Sequence, residues 1–160
     1  MGCYGIGVSR LMQACIEARH VDKTYPDWPL DIAPYQIGIL PAKSGSKFEE
    51  KSNRLVPYIC EMLENNPMFK DDVLVDDRTW MTIGSRIIDA KLIGVPFLLV
   101  LGKTIEDEQI EIVINSPNIA KKLDKTTVNC HSRETAHVLK QLINDYLYAK
   151  KQSKIASYFS

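Results

Sequence analysis

Two hydrophobic periods run along this chain, and they change places several times. In 7–19, Val8, Leu11, Met12, Cys15 and Ile16 recur at helical spacing, so a first helix is predicted there. Residues 20–31 are polar and hold Pro26 and Pro29, the composition of a linker. A first strand is predicted at about 35–40, between Pro34 and Pro41. After the loop Lys43-Ser-Gly-Ser-Lys47, the spacing of Ser46 and Glu49 fits a capping box at the start of a helix reaching about Asn65. Leu55, Ile59, Met62 and Leu63 form its inner stripe, and Pro57 should kink it. A short apolar run at 73–76 reads as a strand, 83–93 as a helix with Ile83, Ile87 and Ala90 inward, and 97–101 as a strand. The unbroken apolar character of that last run points to burial on both faces. Ile110, Ile112 and Ile114 alternate as in a half-buried strand, and a short strand near 126–130 follows. Ser132 should cap a final helix with Val138, Leu139, Leu142, Ile143, Tyr146 and Leu147 as its stripe, leaving 150–160 as a frayed basic tail. The expected fold is α/β, a five-stranded mixed sheet with three helices over about 32–150, preceded by a strand-helix piece.

The bulk numbers narrow the picture only a little. A chain of 160 residues with 45% hydrophobic content can build one core. Its 20 basic residues balance its 20 acidic ones, but from Pro117 onward eight basic residues stand against three acidic. That basic third is compatible with RNA contact, though charge runs are more often solvated helix faces. Cys3, Cys15, Cys60 and Cys130 are too scattered for a metal knuckle or a disulfide framework, and reduced thiols are expected. No apolar run approaches membrane-spanning length, so no membrane partner is expected, and the N-terminus lacks the pattern of a signal peptide.

The chemistry concentrates in two stretches. Val75-Asp-Asp-Arg-Thr-Trp-Met-Thr-Ile-Gly-Ser-Arg86 places two carboxylates and a guanidinium at a strand's carboxyl end, then a Thr and a Gly where a helix starts. Open α/β sheets bind ligands at such strand ends. Gly2-Cys-Tyr-Gly-Ile-Gly-Val-Ser-Arg10 is glycine-rich and leads into a helix. It lacks the preceding strand and the third glycine of a dinucleotide fingerprint, so a strand-to-helix junction with Arg10 facing a phosphate or purine is the better reading. His20, His131 and His137 show no ligand spacing, Ser9 has no histidine partner in sequence, and neither covalent nor metal catalysis is suggested.

Residues 1–10 resemble motif 3 of class II prolyl-tRNA synthetases, where the arginine binds ATP. The remainder resembles the anticodon-binding domain that those enzymes share with the threonyl, histidyl and glycyl synthetases. The matching pieces occur in order: Trp28-Pro29, Ile32-Ala-Pro-Tyr-Gln36, Val75-Asp-Asp-Arg78, Thr82-Ile-Gly-Ser-Arg86, Leu92-Ile-Gly-Val-Pro96 and Leu101-Gly-Lys103. The segment from Pro41 to Lys47 is most similar to the mitochondrial form. Motifs 1 and 2 of the family have no counterpart here, and Lys91 stands where many bacterial-type relatives have glutamate. Met1 coincides with an internal methionine of the family pattern, which suggests a fragment, a late start codon or a truncated gene model.

This resemblance implies residues 1–25 as the end of a catalytic domain, 26–31 as a linker, 32–150 as the anticodon-binding domain and 151–160 as a basic tail. It implies ATP contact through Gly5, Gly7 and Arg10, with ATP and Mg as cofactors of the intact enzyme and none for this chain alone. The implied partner is tRNA-Pro, the family assembly a homodimer, and the compartment the mitochondrial matrix, with the cytoplasm as alternative. Anticodon bases are unstacked and are read by hydrogen bonds to their edges and by stacking. Asp77, Arg78, Thr82, Arg86, Asp89, Lys91 and Lys103 are residue types suited to that task, and Gly84 reads as a backbone requirement beside them. Trp80 either stacks on a base or packs over the loop. The rival readings are a non-catalytic accessory subunit, such as that of the mitochondrial DNA polymerase, and a protein-interaction module.

Overall fold

The computed structural model describes residues 4–19 and 26–158, with side chains through 151. The remaining positions, Met1 to Cys3 among them, lie outside the described residues. Helix α1 (Val8–Glu17) comes first. The α/β body follows as β1 (Ile37–Leu40), α2 (Glu49–Glu64), β2 (Val73–Val75), α3 (Ile83–Ile93), β3 (Phe97–Val100), β4 (Gln109–Ile114), α4 (Pro117–Leu123), β5 (Thr127–His131) and α5 (Thr135–Tyr158). The sheet order is β2-β1-β3-β4-β5. β1 runs parallel to both β2 and β3, while β3–β4 and β4–β5 are antiparallel. The five-stranded mixed sheet is therefore as expected.

Strand alternation sorts the core into two unequal halves. Ile37, Ile39, Phe97, Leu99, Ile110, Ile112 and Ile114 face a large cluster completed by α2 (Ile59, Leu63), α4 (Ile119) and α5 (Leu139, Leu142, Ile143, Tyr146). Leu40, Leu98 and Val100 face the other way, against Ala90, Ile83 and Ile87 of α3. β3 is thus buried on both faces, as its apolar run required. Gly38 lets the sheet accept α3's side of the core: a Cβ there would lie 2.7 Å from Leu98 Cδ2.

Several boundaries differ from the sequence reading. The body holds four α-helices, because α4 was not foreseen; Ser116 caps it by accepting the Ile119 N–H at 3.3 Å, and Pro117 fills its first position. No capping box forms at α2. Glu49 reaches back past Ser46, accepting from the Ser44 hydroxyl and the Gly45 N–H at 2.7 Å each, and the helix starts at Glu49 itself. These bonds, the Ser44 one foremost, hold the Glu49 carboxyl below its ordinary value. α2 runs unbroken through Pro57. Ser132 does not cap the final helix; it lies buried in a 3-10 turn capped by the His131 ring, and α5 begins at Thr135. α5 then runs to Tyr158, so the segment expected as a frayed tail continues the helix. Residues 4–7 carry no strand, which is physically reasonable for an extended segment without a ladder partner.

The stretch 26–31 is not a loose linker. Asp27 is buried and accepts from Ser116 Oγ at 2.6 Å and from Asn118 Nδ2, while Leu30 joins the main core. The Trp28 indole lies over Gly94, where a Cβ would come within 2.1 Å of Cδ1. Arg19 ties the end of α1 to the same corner, donating to Tyr146 Oη at 3.2 and 3.3 Å.

Candidate nucleic-acid interface

Three parallel strands end on one side of the sheet, and the loops that leave them form a continuous rim. The loop after β1 meets the loop after β2 through the Ser44 N–H, which donates to Thr79 O at 2.8 Å. The turn after β3 (Lys103–Asp107) is fastened to α2 and its lead-in by Lys51 Nζ on Glu106 O, 2.8 Å, and by Lys47 on the Glu106 carboxylate, 2.9 Å. Gly102 abuts the start of α3, its Cβ position 3.9 Å from Ile83 Cδ1. These cross-links join the three loops to one another and to α2.

The loop after β2 is built around Asp76. Its Oδ1 accepts the Arg78 N–H at 3.0 Å, which closes a tight side-chain turn. The same carboxylate takes Arg78 side-on, Nε to Oδ1 at 3.0 Å and Nη2 to Oδ2 at 2.8 Å. Asp89, one helical stretch away on α3, accepts from Nη1 at 2.8 Å. Burial pushes the Asp76 carboxyl up, but the Arg78 hydrogen bonds and the nearby guanidiniums outweigh it, and it settles below the ordinary carboxylate range. The two carboxylates in turn hold the Arg78 guanidinium well above its usual value.

Arg86 lies beneath this loop with no exposed surface. It donates to Pro41 O and to Asp76 O, tying the ends of β1 and β2 together from below. The direct base contact expected of Arg86 is therefore excluded in this conformation; its guanidinium is part of the floor. Burial presses its charge toward the neutral form, against the pull of Asp76.

The other expected residues divide by position. Asp77 is exposed at the loop's tip, and Thr82 caps α3 by accepting the Ser85 N–H at 3.3 Å. Gly84 has an ordinary φ, and a Cβ there would meet nothing within 4 Å, so the expected backbone requirement is absent. Lys103 is exposed on the neighbouring turn. Lys91 stands on the last turn of α3, about 12 Å along the axis from Ile83, in a small cleft with Pro26, Trp28 and Gly94. It belongs to a different surface from the rim. Gly5, Gly7 and Arg10 sit exposed on or before α1 and form no described hydrogen bond with the rim. A Cβ on Gly5 would meet nothing within 4 Å, so these residues as they stand do not enclose a nucleotide.

Two further exposed residues belong to the rim. Trp80 is 69% exposed and does not pack over the loop, so of its two readings the stacking surface is the one left open. Lys43 adds an exposed cation on the loop after β1. Between β2 and α3 a cavity of about 260 Å³ opens beneath Asp77 and Arg78, walled by Leu74, Ala90, Ile93 and Leu98. The basic surplus of the last third falls elsewhere: Lys121, Lys122 and Lys125 lie on or just after α4, which packs in the layer across the sheet from α3.

Comparison with known proteins fits this geometry. A family described as "Anticodon binding domain" matches residues 36–115. The chain is 36% identical over 118 residues to the "Probable proline--tRNA ligase, mitochondrial" of Mus musculus, covering 74% of this chain and 25% of that one. The human protein of the same name is 41% identical over 103 residues, with 64% and 22% covered. The "Proline--tRNA ligase" of Corynebacterium diphtheriae is 41% identical over 112 residues, with 70% and 18% covered. The chain thus spans about a quarter of the length of the curated relatives it matches, or less. A prolyl-tRNA synthetase of Cryptosporidium parvum, solved with L-proline and AMP, shares the fold at a TM-score of 0.66 and 19% identity, over 89% of this chain and 29% of that one.

Proposed function

The chain belongs to the anticodon-binding domain family, in the form found in proline–tRNA ligases, and on that premise we propose that its three-loop rim binds the anticodon arm of tRNA-Pro. The observation that carries this reading is the 76–89 arrangement. Along the chain an exposed tryptophan lies between an arginine clamped by two carboxylates and a capped helix start, and Asp77 and Arg78 line an apolar cavity of about 260 Å³. Splayed bases need stacking planes and fixed polar groups together. Asp77, Trp80 and Lys103 supply the exposed contacts, Arg78 and Asp89 a fixed polar edge, and Thr82 the capped helix end.

The names of the mouse and human relatives support a mitochondrial site of action, while those of the bacterial relatives give no compartment. We place the chain with the mitochondrial form, because of its Pro41 to Lys47 segment. Proline activation with ATP and Mg, and dimerisation, are proposed for the intact enzyme only. Adenylate formation needs several preorganised charges around the reacting carboxylate and phosphate. Arg10 offers one, on an exposed helix. The accessory-subunit reading gains nothing from relatives named as ligases.

The direct test is binding of the 160-residue chain to a proline tRNA transcript and to the same transcript with its anticodon replaced, followed by fluorescence anisotropy. At least tenfold preference for the proline anticodon is expected. Trp80→Ala should cost about 1–3 kcal/mol of that binding. Equal affinity for the two transcripts would sink the reading.

A further inference from the structure

Arg78 is the residue that an RNA-binding reading would first cast as a base-edge fork, since bidentate arginine is a common reader of guanine. Its geometry forbids the simple version. Nε and Nη2 are both spent on Asp76, and Nη1 donates to Asp89. Three of the five N–H donors are committed, and the side-on fork is closed. The side chain as a whole is 36% exposed, so besides one remaining proton on each Nη its flat face can meet a base. Neither carboxylate is needed at an RNA surface for its charge, because a carboxylate repels phosphate. Both nonetheless stand here, Asp76 nearly buried at 10% exposure and Asp89 at 34%.

We propose that Asp76 and Asp89 are positioning residues that fix the plane of Arg78, so that Arg78 meets an unstacked base with its face rather than its donors. Arg86 completes the device from below, since it holds the Asp76 carbonyl and the end of β1 in one place. This rests on the anticodon reading above. It adds which part of Arg78 is used and which side chains set it.

The inference has an unusual sign. Asp76→Asn removes a negative charge from a surface that binds a polyanion, so charge alone predicts tighter binding. Loss of a fixed plane predicts weaker and less selective binding. The test compares wild type, Asp76→Asn and Asp89→Asn against the proline transcript and its anticodon-replaced counterpart at two salt concentrations, with thermal melts as the check on folding. Expected for Asp76→Asn is about tenfold weaker binding of the proline transcript, a matching loss of preference and an unchanged salt slope, because no phosphate contact is lost. Binding that is unchanged or tighter, with preference intact, overturns the inference while leaving the anticodon reading standing. If Asp76→Asn does not fold, Asp89→Asn decides: a two- to fivefold loss of preference supports the clamp, and an unchanged preference overturns it. A wild type without preference removes both readings together.

Discussion

Arg86 and Asp76 carry the loop between β2 and α3, and neither role shows in residue type. An arginine eight residues after an aspartate–arginine pair reads as one more surface cation, yet Arg86 has no exposed surface because two chain carbonyls converge on it. Substituting it should act through stability rather than through RNA contact. Asp76 permits a sharper prediction, because its carboxyl lies below the ordinary value in the folded chain. A carboxyl depressed by folding contributes stability that is full above its unfolded value, about 3.9, and is lost as pH falls through the lower folded value. Wild type should therefore exceed Asp76→Asn in urea midpoint by a constant margin from about pH 5 to 8, and the margin should close below about pH 4. A margin that widens in acid would show that the depression is not what Asp76 contributes. The helix start at Thr82 and the polar position of Asp89 were legible, since a cap before an apolar period and a polar helix face are local signals. The partner each of them takes was not, because Asp89 finds Arg78 eleven residues away only once α3 lies back on the sheet.

At the scale of elements, periodicity worked where one face of a segment is buried. β3, β4, α3 and α5 follow their apolar spacing closely, and the two-faced burial of β3 follows from its unbroken run. α4 was missed for the opposite reason. It has seven residues, and its signal is a serine–proline start rather than a period. Ends moved by a few residues wherever side chains compete for the same backbone groups, as Glu49 does by bonding Ser44 and Gly45 instead of closing a box with Ser46. The end of α3 is the element boundary with the most at stake. Gly94 has φ +89 and carries the Trp28 ring against its Cα. An alanine there pays for a left-handed backbone and collides with the indole, two separate penalties. Gly94→Ala should destabilise the domain by about 2–4 kcal/mol in chemical denaturation. A loss below about 0.5 kcal/mol would mean that Trp28 swings aside freely and that the arm is not part of the core.

The whole molecule is a sheet with one crowded face and one lightly covered face, plus an N-terminal arm. The arm has two parts with different physics. α1 exposes Val8, Leu11 and Met12 and has no buried residue, so its apolar side is unsatisfied among the described residues. Residues from Pro26 on are different: Asp27 is buried among Ser116 and Asn118, Trp28 covers Gly94, and Leu30 enters the core. A polar, proline-containing stretch gave no hint of this, because Gly94 and Ser116, which fasten Trp28 and Asp27, lie 66 or more positions away. Domain boundaries placed by composition alone would cut in the wrong place. A chain starting at Pro26 should melt cooperatively within a few degrees of the full chain and stay in solution at higher concentration, because the exposed side of α1 is gone. A chain starting at Ile32 loses Leu30, whose burial is worth about 1.5–3 kcal/mol, and leaves Ser116 and Asn118 without Asp27. Its midpoint should fall by at least about 5 °C in differential scanning fluorimetry. Equal midpoints for the two truncations would show that the arm rests on the body without stabilising it, and that the original division at residue 31 was physically sound.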